Sequence, residues 1–292
     1  MGLYIDVDPT SSTDNYLAFL LTFPNLELYT IWSVFFLTLA RLIPIMVFAP
    51  FLGAKNVPTT IKMMAATALV LLFLPANLAT LQRQIPYDLV WVGLMLKELL
   101  IGTVLAFLSM IPFFLVQMSG TLIDHSRGSS ALQVSDPTTQ SQTSPIGILF
   151  NYVLLALFFG LGGPFLFFDA IGQSYALFPV DQLVSRSLFD PSSPYWQKAS
   201  TLLSFMFDLS VRLAAPALIG ILLTDLFLGI ANRLAPQVQI VFLGISLKSW
   251  VGIALLTAAW GLIIKVMGKE SILWVKTMIK LIQQLGALRA AG

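Results

Sequence analysis

Cysteine is absent from the 292 residues and histidine occurs once, as His125. Disulfides, thiolate nucleophiles and the usual zinc and iron–sulfur ligand sets are thereby excluded. No metal or other cofactor is expected, and the chain does not read as a redox or metal enzyme. Charge is also scarce: Asp, Glu, Lys and Arg together make 10% of the chain, against about 25% in a typical soluble domain. A globular surface could not be wetted with so few charges. What the sequence has instead is apolar length, 57% hydrophobic residues, and this identifies a membrane protein. A bilayer core of about 30 Å takes about 20 apolar residues per helix, so the chain has room for roughly six or seven passes. No soluble catalytic domain fits beside them.

The net charge of +2 says little, but its distribution is lopsided. Asp6, Asp8, Asp14 and Glu27 precede Arg41 with no Lys or Arg among them, whereas Lys265, Lys269, Lys276, Lys280 and Arg289 at the other end face Glu270 alone. The positive-inside rule then predicts an N-terminus outside the cytoplasm and a C-terminus inside it. The acidic start lacks the basic region of a signal peptide, so none is expected. Nothing in the charge pattern calls for a nucleic-acid partner.

A window of about 19 residues marks apolar stretches at 28–48, 63–81, 89–118, 146–171, 202–231 and 240–267, with polar gaps at 121–145 and 178–199. No alternating strand pattern occurs, so the fold class is all-α, a multi-helix hairpin bundle in one integral membrane domain spanning 1–292. Residues 1–27 form an acidic polar extension and 271–292 an amphipathic basic tail. From just before that tail and into it, Lys265, Lys269, Lys276, Lys280 and Gln283 share a narrow arc, which suits either an anionic membrane surface or a protein partner.

Ionisable residues inside apolar helices normally face protein or water. Asp208 and Arg212, at i and i+4, can pair on one face, as a structural pin or as part of an ion pathway. Asp225 is expected to approach a loop. Lys97 and Glu98 are adjacent and point about 100° apart, so they are expected to need partners on other helices or chains. Arg41 needs such a partner too, unless it snorkels to a helix end. The segment 111–127 joins Pro112, the apolar Phe113, Phe114 and Met118, and Gly120 to a polar turn. It forms either a kinked helix end or a loop-like constriction, and hydrophobic constrictions gate pores by dewetting. Asp124, His125 and Ser126 are adjacent letters and do not make a triad. The run GLGGP at 160–164 lacks a P-loop lysine and reads as close helix packing by small residues.

Five segments then occur in order: APFLGAKNVP at 49–58, KELLIG at 97–102, SGTLIDHSRG at 119–128, DPTTQSQTSPIG at 136–147 and APQVQIVFLGISLK at 235–248. Together, over residues 41–265, they resemble the FliR/SctT family of type III export-apparatus proteins, the third and fourth being more similar to the injectisome than to the flagellar branch. The resemblance implies a non-enzymatic, multi-pass subunit of the bacterial inner membrane. It would assemble with SctR/FliP-type and SctS/FliQ-type subunits, and with an SctU/FlhB-type switch protein, into a helical export gate that passes unfolded secreted proteins. It further implies that 111–127 forms a loop closing the resting pore, making Phe113, Phe114, Met118 and Gly120 plug residues. Lys97, Glu98, Asp208, Arg212 and Asp225 would be inter-helix or inter-subunit contacts. Two features depart from the family: the acidic extension is long, and His125 stands where a side-chain amide is commoner. The rival reading is a stand-alone secondary transporter for a small solute, coupled through Asp208, Arg212 and Asp225. It lacks the inverted repeat such proteins carry.

Overall fold

A computed structural model describes residues 28–53, 57–85, 87–128, 144–183, 194–234 and 240–290. The acidic extension 1–27 and most of the Gln/Ser-rich run at 129–143 lie outside the described residues. The remainder is helix and connecting turn: α1 (Leu28–Phe48), a 3₁₀ turn (Pro50–Leu52), α2 (Thr59–Ala79), α3 (Leu89–Ser126), α4 (Pro145–Gly160), α5 (Gly163–Leu177), α6 (Pro194–Leu234), α7 (Ile240–Ala258) and α8 (Trp260–Ala290). The starts of α3 and α4 are written locally. Asp88 accepts from the Trp91 backbone N–H at 3.1 Å. Ser144 Oγ accepts from Gly147 N–H at 2.9 Å, with Pro145 in the first turn, where a missing N–H costs nothing.

α3, with 38 residues, is about 57 Å long at 1.5 Å per residue and forms the spine. It packs against α1, α4 and α6, while α2 lies on α1, α7 on α6, and α5 on α8. α1, α2, α3 and α6 are each long and apolar enough to cross a membrane, and up to six spans result if the bent pairs α4–α5 and α7–α8 count as one each. The chain is an all-α, multi-pass membrane protein.

Both bent pairs correct the sequence reading. The stretch 146–171 is two helices turned by 73°, and the stretch beginning at 240 breaks at Ala259 with a turn of 63°. The basic tail is the continuation of α8 rather than a separate element. GLGGP is the first corner, where Gly162 holds φ +75°, which favours glycine; the expected close packing holds at Gly163, whose Cβ would collide with the Phe158 ring, but not at Gly160, where a side chain would meet nothing within 4 Å.

Candidate functional site

The segment 111–127 is helical throughout as the second half of α3, which replaces the expected loop. Pro112 cannot donate to the Leu108 carbonyl one turn earlier. The Trp274 indole of α8 donates to that carbonyl instead, at 2.8 Å, so the helix continues with its backbone satisfied. Gly120 is helical because α4 crosses there: a Cβ on Gly120 would lie 2.4 Å from the Gly147 nitrogen.

The helical form distributes the expected plug residues over different faces. Phe113, 1% exposed, enters an aromatic core with Phe51 of the 3₁₀ turn, Phe158 of α4 and Phe167 of α5; Phe51–Phe167 and Phe113–Phe158 are edge-to-face at 4.9 and 5.5 Å. Phe114, 60% exposed, lines an open groove of about 290 Å³ with Phe48, Pro50, Gln117, Tyr152 and Leu155 among others, a groove that Phe113 also borders. Met118 is half-buried and Gly120 buried.

The polar end of α3 is a cap for α4. Asp124, buried at 1% exposure, accepts from Ser144 Oγ at 2.5 Å and from the Ile146 N–H at 3.0 Å, and pairs with Arg127 at 2.5 Å. A carboxylate beside the first turn of a helix meets unsatisfied N–H groups and the positive end of the dipole. His125 is exposed and Asp124 buried, so the two do not converge as a triad would.

Arg41 is fully buried at mid-helix, which rules out snorkelling. Its guanidinium grips Glu98 in a fork, Nε to Oε2 at 2.5 Å and Nη2 to Oε1 at 2.9 Å, and stacks over Tyr175 at 4.0 Å. Glu98 also pairs with Lys97 Nζ at 2.6 Å, contrary to the expectation that these neighbours cannot satisfy each other. Divergence of about 100° at the backbone is overcome by two long side chains bending into one space between α1 and α3.

In direct ion pairs two cations share one anion, with the buried carboxylate of Asp181 nearby, and the chain at and just after the end of α5 supplies further partners. Arg41 donates to Ser174 Oγ at 3.0 Å and to the Phe178 carbonyl at 2.7 Å. Lys97 donates to the carbonyls of Pro179 and Gln182 at 2.7 and 3.0 Å. The Phe178 carbonyl stands at the C-cap of α5, where the negative dipole end favours cations, and the carbonyls of Pro179 and Gln182 belong to the turn just beyond the helix. Beside this cluster α1 and α3 all but touch, since a Cβ on Gly102 would sit 2.2 Å from the Arg41 carbonyl oxygen.

The remaining charges lie elsewhere. Asp208 and Arg212 pair along α6 at 2.8 Å with side chains 50% and 73% exposed. Asp225 pairs with Lys248 of α7, nine residues before α6 ends, so it meets a helix and not a loop. Asp124 is the residue whose part sequence reasoning missed, while for Arg41 it left a buried partner and a snorkelling end as equal alternatives. A signal for Arg41 existed: at seven residues from the end of α1 it lies about 10 Å deep, too far for an easy snorkel.

Comparison with known proteins follows the same residues. The family described as bacterial export proteins, family 1, matches residues 32–272. The chain is 32% identical over 162 residues to the secretion system apparatus protein SsaT of Salmonella typhimurium, covering 56% of this chain and 61% of that protein. It is 31% identical over 168 residues to the Yop proteins translocation protein T of Yersinia pestis, 55% and 60%. These matches therefore span about three fifths of each relative's length. The flagellar biosynthetic protein FliR of Bacillus subtilis is 27% identical over 258 residues, 88% of this chain and 97% of that protein. With the family matched across the whole helical body from α1 into α8, the chain belongs to the bacterial export proteins of the FliR/SctT type III secretion family.

Proposed function

We propose that this chain is a non-enzymatic subunit of a type III secretion export gate in the bacterial inner membrane, lining part of the pore through which unfolded proteins leave. The observation that carries the reading is the family match over residues 32–272. The open surface of α6 supports it. Asp208 and Arg212 are at least half exposed on a helix that also exposes Leu222, Leu223, Leu226 and Phe227. Charges on such a face are costly in lipid, and neighbouring subunits of the SctR/FliP and SctS/FliQ types, with an SctU/FlhB-type protein beside them, would cover it. We place pore closure at 111–127, with Phe114 and Met118 facing the channel, Phe113 anchoring the helix in the core, and Gly120 setting its distance from α4. The solute-transporter reading gains nothing from the geometry, because Asp225 is paired with Lys248 and not with Asp208 or Arg212.

Extraction in mild detergent should recover the chain in a large complex with two smaller membrane proteins. A homogeneous monomer that moves a small solute into liposomes would overturn the proposal. Replacing Phe114 and Met118 by Ala should make the assembled complex leak small molecules, and an unchanged leak would remove them from the closure.

A further inference from the structure

We propose that the outward face of α8 seats anionic phospholipid headgroups at the bilayer surface. At 100° per residue, Lys265, Lys269, Lys276 and Lys280 fall within about 60° of arc, and all four are exposed. Their backs are fixed: Ile263, Met267, Trp274 and Met278 on the opposite side are buried, with Trp274 bonded to α3. The row is about 22 Å long. Glu270, the only acid on α8, stands about 140° away from Lys265 and lines a groove beside Asp208 and Arg212. Among the described residues none of the four lysines has an ion-pair partner, so the face carries uncompensated positive charge.

Hydrocarbon cannot be the neighbour of such a row. α8 departs from α7 by 63°, and α7, with 19 residues, has about the length of a bilayer core. With α7 crossing the bilayer by itself along the normal, and not as one bent span with α8, the 63° turn leaves α8 about 27° from the membrane surface. Leu262 and Leu273 are exposed along the same face, and at 100° per residue both lie within about 80° of Lys265. Lysines over anionic headgroups with leucines entering the acyl boundary are the pattern of an interfacial helix. An acidic protein would match the lysines but would leave those leucines and the 63° turn without a role. The inference needs only a membrane location and stands apart from the gate reading.

The test uses the full chain in detergent, titrated with phosphatidylglycerol or phosphatidylcholine while thermal unfolding is followed. Phosphatidylglycerol should raise the melting temperature and phosphatidylcholine should not, and the difference should shrink as salt screens it. Changing all four lysines to Gln should lower the affinity for phosphatidylglycerol by about tenfold or more and leave the lipid-free melting temperature unchanged. Because cysteine is absent, Leu273→Cys carries a single environment-sensitive fluorophore without replacing any lysine. Its emission should shift to the blue in vesicles of phosphatidylcholine mixed with phosphatidylglycerol relative to phosphatidylcholine alone. Equal responses to the two lipids, a phosphatidylglycerol effect that survives the four Gln substitutions, or a fluorophore that responds only when other subunits are added would each overturn the proposal, the last in favour of an acidic protein face.

Discussion

Arg41, Lys97 and Glu98 are sealed between α1, α3 and the end of α5, whereas Asp208, Arg212, Asp225 and Lys248 lie on the α6–α7 hairpin within reach of whatever surrounds the molecule. Both sets contain ion pairs on apolar helices, yet they answer to different physics. In the first, every charge is matched inside the chain, down to the carbonyls that close α5, so it belongs to the fold. In the second the pairs are made but the surface around them is open. The contrast separates a charge cluster whose partners all lie inside the chain from charge pairs whose surroundings are open.

The largest expected effect comes from breaking the sealed set. Glu98→Ala leaves Arg41 and Lys97 without their anion and should cost about 3–5 kcal/mol, the scale of an uncompensated buried charge, read as a fall in the unfolding temperature of the purified chain in detergent. A loss no greater than that from changing Asp208 alone would erase the distinction between the two sets. Next is Gly120→Ala, which forces a methyl group against the Gly147 backbone. Overpacking of this kind costs about 1–3 kcal/mol, and an undisturbed melting curve would show that α3 and α4 are not held at this distance. Trp274→Phe keeps an aromatic ring at the site but removes the indole N–H, leaving the Leu108 carbonyl beside Pro112 without its donor. About 1–3 kcal/mol should be lost, and hydrogen exchange should quicken around residues 108–112 before it does in α1.

Much of this frame is legible in the sequence, and most of the illegible part has a common cause. α1 is found at its true limits because apolar length is a local property. The corners at Gly162 and Ala259 are not, since hydropathy does not change where a helix turns and only the direction of the chain does. The choice between helix and loop at 111–127 is open in the sequence for a similar reason. Pro112 breaks a helix unless another element donates to Leu108, and that donor, Trp274, lies 166 residues away. Lys97 and Glu98 do find the partners on other elements that the sequence calls for, Arg41 and the carbonyls of 179 and 182, but backbone angles alone hide that they also pair with each other. Apart from the two corners, what is hidden concerns polar groups whose partners come from a distant part of the chain.

The smallest expected effect sharpens the comparison from its other side. Replacing Asp208 and Arg212 together by Leu removes a pair that is at least half exposed, and exposed pairs contribute about 0–1 kcal/mol. The purified chain should therefore melt almost unchanged, in contrast to Glu98→Ala. Changing Asp208 alone strands Arg212 on an apolar face, and within a membrane assembly that is worse than losing both. Secretion by cells carrying the double change should stay near normal, while the single change should weaken recovery of the assembled complex. If the double change abolishes secretion with the complex intact, these side chains do more than pair, and the exposed set has a working charge.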